Sequence, residues 1–142
     1  MKMYYNAHIV LYDRQGRILL QQRADTATNY PGIWSFFGGG SKAGETPLAT
    51  VNRETLEELN LRLARPKLLA VDAIVKKLNG RTVRVARHVF FSPCPNKRAL
   101  RLNEGQGMGW FRLSEIPSLA MLDQDRALVA KIGKLISKPG KK

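Results

Sequence analysis

The stretch GGGSKAGETPLATVNRETLEELNL, residues 38–61, constrains this chain more than any other. It begins with three glycines, a backbone too permissive for an ordinary strand or helix. A helix follows. Thr46 is a suitable N-cap and Pro47 fits the first helical position. Leu48, Val51, Thr55 and Leu59 follow a 3, 4, 4 spacing, which predicts one apolar face. The Thr55 hydroxyl, polar within that stripe, can bond the preceding turn. Asn60 tolerates the left-handed conformation that ends many helices. Glu54, Glu57 and Glu58 stand at i, i+3 and i+4, so their side chains converge beside the stripe, facing out of the core.

Convergent like charges repel, at about a few tenths of a kcal/mol per exposed pair. A solvated acidic face, partly neutralised by Arg53, is the plain explanation. A divalent-cation site is the other: hard cations take carboxylate and carbonyl oxygens and often hold substrate phosphates as well. The rest of the chain favours the second. It carries 24 Lys+Arg against 11 Asp+Glu, a net charge of +13. Four of those acids, Glu45, Glu54, Glu57 and Glu58, fall in one 14-residue stretch. Such a field attracts polyanions, among them nucleotides and nucleic acids.

The spacing sharpens this further. Five residues separate Gly39 from Glu45, seven separate Glu45 from Arg53, and Glu54, Glu57, Glu58 and Leu61 follow at fixed offsets. The pattern resembles the Nudix box, G-x5-E-x7-R-E-U-x-E-E-x-G-U, where U is apolar. Thr55 and Asn60 depart from it, at an apolar and a glycine position. The LLQQR strand before the box, the W-x-F-F-G-G approach and a later Glu-Gly leading to Trp110-Phe111 are also similar to MutT-like Nudix proteins.

That resemblance implies an α/β fold: an α/β/α sandwich around a mixed sheet, with the box as a loop–helix–loop. It implies one domain over residues 1–137, followed by a basic tail at 138–142. The activity implied is Mg²⁺- or Mn²⁺-dependent hydrolysis of a pyrophosphate bond in a nucleoside diphosphate linked to X, with a nucleoside triphosphate first among substrates. Glu57 and Glu58 would be principal metal ligands, and Glu54 a ligand or the base that orients water. The carbonyl of Gly38 or Gly39 would complete the coordination. Arg53 would hold a glutamate rotamer, and Glu45 would tie the loop to the helix. Glu104, in the glycine-rich loop LNEGQGMGW, is a second candidate for general base. Arg23 is expected to face a phosphate. Of Trp34, Phe36 and Phe37, which alternate between core and outer face, Phe37 is assigned to the substrate.

The remaining elements are legible as a sketch. Residues 4–12 and 17–23 read as a hairpin, 34–37 as a short aromatic strand, and 68–75 with 81–91 as a second hairpin turning at Asn79-Gly80. Residues 92–107 read as a long loop, 107–113 as a last strand and 123–136 as a helix, with Asp123 and Asp125 at its positive end. His88 reads as a satisfied sheet histidine and Cys94 as a small, partly buried thiol. No apolar run approaches the roughly 20 residues of a bilayer span, so the expected location is cytoplasmic. RNA is an alternative partner, tracked by the basic hairpin at 76–87 and the 97–101 stretch. Nucleoside diphosphate sugars and ADP-ribose stay open as substrates, as do a non-catalytic binding module and a homodimer.

Overall fold

In the computed structural model, residues 4–102 and 107–136 are described. In chain order the elements are β1 (Tyr4–Tyr12), β2 (Ile18–Gln22), β3 (Trp34–Ser35), β4 (Phe37–Gly40), α1 (Pro47–Leu59), β5 (Lys67–Leu78), β6 (Arg81–Pro93), β7 (Gly107–Phe111) and α2 (Asp123–Ile136). Short 3₁₀ turns occupy Lys97–Ala99 and Leu113–Ser118.

Strand β1 organises the molecule. It runs parallel to β6, from Tyr4 opposite Val85 to Tyr12 opposite Pro93. It runs antiparallel to β4, with Ala7 opposite Gly39 and His8 opposite Gly38. It meets β2 at Tyr12 and Ile18. β2 in turn pairs with β3 and β7, and β5 closes the far edge against β6. The sheet is therefore mixed, with strand order β3-β2-β1-β6-β5.

Strand alternation sends side chains to two cores. Ala7, Ile9 and Leu11 of β1, with Leu19, Phe37 and Phe90, pack under Val51 and Leu59 of α1. Val10, Ile18, Leu20, Phe36 and Val89 pack on the other face, under Val129 and Ile132 of α2. A helix covers each face, giving the expected α/β/α sandwich. Each fully buried large apolar side chain contributes about 1.5–3 kcal/mol. These two cores outweigh the few tenths of a kcal/mol lost per acidic pair on α1.

Helix α1 starts and stops as its sequence dictates. Thr46 accepts from Ala49 N–H at 3.1 Å. Asn60 closes the helix at φ 59°, its N–H donating to Leu56. Two details of its buried face differ from expectation. Leu48 is 47% exposed, and Thr50 is buried instead. Thr55 is buried too, but its hydroxyl has no hydrogen-bond partner, neither in the preceding turn nor elsewhere among the described residues.

The glycine triplet is also corrected. It is strand, not loop: Phe37–Gly40 forms β4. Pairing with the buried centre of β1 fixes a backbone that its own sequence leaves free. Gly38 holds φ +145°, where a side chain would collide with the Ala7 carbonyl and the His8 backbone.

Candidate active site

Arg53 is the centre of the acidic face. Its Nε donates to Glu45 at 2.8 Å, and its Nη2 donates to Glu45 at 2.9 Å and to the Gly40 carbonyl at 3.0 Å. Its Nη1 donates to Glu54 and to Glu57, each at 3.0 Å. The guanidinium thus ties the end of β4, the loop after it and two helix carboxylates into one unit. Bidentate pairing with a carboxylate is what the planar fork of Arg provides and Lys does not. Hydrogen bonds from Arg53, from the Lys42 backbone and from Thr50 hold the Glu45 carboxyl far below the usual carboxylate range.

Glu54 lies against β4 so closely that a Cβ on Gly39 would overlap its Oε2. Burial, then contact with Glu57, pushes the Glu54 carboxyl upward, against the pull of Arg53. Two carboxylates are held together at a partly buried spot, which disfavours charging both. Glu57 is 54% exposed at its side chain and open to solvent. Glu58 is turned inward rather than out of the core: it is 7% exposed, and its Oε1 accepts from Gly38 N–H at 2.9 Å. Among the described residues no group of three His, Cys, Asp or Glu side chains stands placed to hold a metal ion by itself. The donors beside β4 are all oxygens, and the Glu54–Glu57 pair is crowded. Both properties suit a hard divalent cation, which would relieve the repulsion.

Gly38 and Gly39 also border a cavity of about 210 Å³ on the α2 side of the sheet. Its lining includes Asn6, His8, Arg23, Ser35, Lys76 and Asp125. Sequence reasoning picked only Arg23 of these as a site residue. His8 sits among cations, and burial first, then Arg87, Lys76 and Arg23, lowers its pKa to about 3. The ring is therefore neutral at physiological pH. Its Nδ1 lies 3.4 Å from Arg87 Nη1, a group that can only donate, so Nδ1 accepts and Nε2 carries the proton. Lys76 is lowered by burial and by the nearby Arg23 charge. Two mutually repelling cations thus line the cavity, an arrangement that an anion would relieve.

The cavity wall contains a buried charge cluster. Arg87 donates to Asp72 through Nε at 2.8 Å and Nη2 at 2.7 Å. The same Nη2 lies 2.8 Å from Asp125 Oδ1. The contact is an ion pair between two buried side chains. Burial raises the Asp125 pKa, and the Arg87 charge opposes that rise. This cluster corrects one expectation: Arg87 is 1% exposed and does not belong to a basic surface. Asp125 stands in the first turn of α2 as expected, and is buried there.

The other assignments sort as follows. Phe37 is 1% exposed in the core beneath α1, because alternation along 36–37 sends it to the α1 face, so it offers no ring to a substrate. Trp34 packs edge-on against Phe111, and Phe36 lies in the core and at the cavity wall. His88 Nδ1 is buried without a hydrogen-bond partner, contrary to its expected satisfaction. Glu104 and the tail at 138–142 lie outside the described residues.

Comparison with known proteins agrees with this geometry. The NUDIX domain family model matches residues 4–132. Over 69 residues the chain is 44% identical to the isopentenyl-diphosphate Delta-isomerase of Streptomyces avermitilis, a match covering 48% of this chain and 34% of that protein. Over 115 residues it is 27% identical to the prenyl-diphosphate phosphatase of Methanosarcina mazei, covering 78% of this chain and 64% of that protein. The match thus spans about a third of the first relative's length and just under two thirds of the second's. Among solved structures, a MutT NUDIX hydrolase from Burkholderia pseudomallei superposes with a TM-score of 0.77 at 25% identity, over 93% of this chain and 99% of that one. The family match over nearly the whole chain, the box on α1 and the shared sandwich agree: this chain belongs to the Nudix family.

Proposed function

We propose that this protein hydrolyses a phosphoanhydride bond of a nucleoside triphosphate or a related nucleoside diphosphate derivative, with Mg²⁺ or Mn²⁺. One observation carries the reading: the cavity lined by Arg23 and Lys76 shares Gly38 and Gly39 with the acidic face of α1. Glu54, Glu57 and Glu58, with the Gly38 carbonyl, would hold the cation. The bound cation would polarise phosphoryl oxygens and offset charge developing on them. Arg53 orients Glu54 and Glu57, and Glu45 fixes Arg53. Arg23 and Lys76 attract the phosphate chain. If Glu54 is not a ligand it would take the proton of the attacking water, and Glu104 is the other candidate for that role.

The cavity lining is part apolar, through Ile33, Phe36, Ile74 and Leu122, and part polar, which supports an organic group that carries both characters. Two relatives are named for prenyl or isopentenyl diphosphates. An apolar chain in this cavity would cover Asn6 and Ser35, and each polar group left buried and unsatisfied costs about 1–3 kcal/mol. A heterocyclic base offers donors and acceptors to match them. The RNA reading weakens for a separate reason: Arg87 is buried and Lys76 lines the cavity, so neither extends a basic surface track. No helix among the described residues is long and apolar enough to cross a membrane.

A substrate panel tests this. Nucleoside triphosphates are expected to release phosphate or pyrophosphate with Mg²⁺, and chelation should stop the reaction. Faster turnover of a prenyl diphosphate, or of a 5′-triphosphate RNA, than of every free nucleotide would overturn the reading. Gly39→Ala provides a check on the site itself. Its Cβ must displace Glu54, so kcat should fall at least about tenfold, the scale on which disturbing a supporting contact at a metal site acts. The measurement is kcat at saturating Mg²⁺ and substrate.

A further inference from the structure

The segment from Arg23 to Ile33 crosses the cavity as a strap. Its feet are fixed at β2, where Arg23 N–H donates to Ile33 at 2.8 Å and the Gln22 side chain donates to Gly32 at 3.2 Å. Its tip reaches the opposite edge of the sheet. Asn29 Nδ2 donates to the Lys77 carbonyl at 3.1 Å, and Lys77 N–H donates to Asn29 Oδ1 at 2.8 Å. The Tyr30 hydroxyl donates to the Val75 carbonyl. Strands β1 and β6 lie between β2 and β5, so the strap bridges three strand spacings, about 14 Å.

Three features mark this as a built contact. The Asn29 amide pairs with both backbone groups of one residue, as a neighbouring strand would, and caps the outer edge of β5 there. Tyr30 holds φ 52°, a left-handed conformation that costs a bulky side chain about 1–2 kcal/mol and persists only where surrounding contacts impose it. Asn29, Tyr30 and Ile33 all line the cavity, facing Ile74 and Lys76 of β5. The cavity, partly open to solvent, has a volume of about 210 Å³, below the roughly 300–1,000 Å³ of pockets that take drug-sized ligands. It suits one compact ring system.

We propose that Asn29 and Tyr30 form a latch whose closure sets the size of the base this enzyme accepts. The inference rests on the nucleotide reading above. With the strap pinned to β5, a substituent on the base meets the strap. Released, the strap lifts and the cavity enlarges toward the β5 edge.

The test compares wild type with Asn29→Ala and Tyr30→Phe, on the nucleoside triphosphate turned over fastest and on its derivative carrying an N-benzyl group on the exocyclic amine. Wild type is expected to favour the unmodified nucleotide in kcat/KM by about a hundredfold, and Asn29→Ala to narrow that ratio at least about tenfold, the scale of discrimination a fitted pocket supplies. Tyr30→Phe should narrow it less. Amide hydrogen exchange at Lys77 should accelerate in Asn29→Ala, since that N–H loses its acceptor. An unchanged ratio overturns the inference, whatever the exchange shows. Unchanged exchange at Lys77 also overturns it, because the contact is then no latch. A wild-type enzyme that turns over no nucleotide overturns the nucleotide reading instead, a failure separable from the other two.

Discussion

Glu54→Gln is expected to reduce metal-dependent hydrolysis by about 10²–10³-fold and, in metal-free buffer, to raise the unfolding temperature. The activity loss is on the scale seen when a fixed electrostatic group at a reaction centre is removed. The stability gain follows from the same geometry. Glu54 is held against Gly39 beside Glu57, where burial and the second carboxylate both penalise its charge. Glutamine keeps the shape and the oxygen that accepts from Arg53, and loses the charge. The trade of stability for activity is common at sites assembled for chemistry. Thermal unfolding with and without Mg²⁺ provides the check. Added Mg²⁺ should stabilise wild type, because a ligand that binds only the native state raises its stability, and should do little for the variant. A variant with full hydrolytic activity, or with no stability gain in chelator, would remove Glu54 from the assigned role.

Helix α1 and its box were legible because their signals are local. A cap, a proline, an apolar spacing and a set of glutamates all lie within one element, so periodicity suffices to place them. The cavity was not legible. It draws Asn6 and His8 from β1, Lys76 from β5, Arg87 from β6 and Asp125 from α2, positions separated by up to about 120 residues. Alternation along β6 puts Arg87 on the face of Val85 and Val89 and Arg84 on the other, but only the packing of α2 supplies the buried Asp125 that Arg87 meets there. Asp125 sits in the first turn of α2 as its local signal predicts, but nothing local announces its contact with Arg87. Phe37 and the glycine triplet erred in the other direction. Tertiary pairing converted a permissive backbone into strand, and that strand's alternation put Phe37 in the core.

Arg87→Met is expected to destabilise the fold by about 3–5 kcal/mol, the range for removing one partner of a buried ion pair. Arg87 is 2% exposed at its side chain and so is Asp125. Methionine fills the space but leaves Asp125 without its counter-charge. The pH dependence has a definite sign. The Asp125 pKa is already raised in the fold by burial, with Arg87 pulling against that rise. Without Arg87 it rises further. A group raised in the fold is least harmful below its unfolded pKa, about 3.9 for Asp, and stability is lost as pH climbs through the folded value. The Arg87→Met defect should therefore be largest near neutral pH and should shrink on acidification. Denaturant melts at several pH values measure this. Adding Asp125→Asn to Arg87→Met should recover part of the loss at neutral pH. Equal destabilisation at every pH would mean that packing, rather than charge, accounts for the effect.

The parallel pairing of β1 with β6 also governs the order in which the molecule can be made. Tyr4 meets Val85, so during synthesis β1 has no partner on that side until about 80 more residues have followed. At about 5–20 residues per second, that is a wait of roughly 4–16 s. Meanwhile β2 and β4, which arrive early, can occupy the other positions along β1. The loop and helix that carry the glutamates thus form on half a sheet, before β5, β6 and α2 complete the cavity. Protection against hydrogen exchange in nascent chains should therefore reach Glu54 and Gly39 before it reaches Arg87.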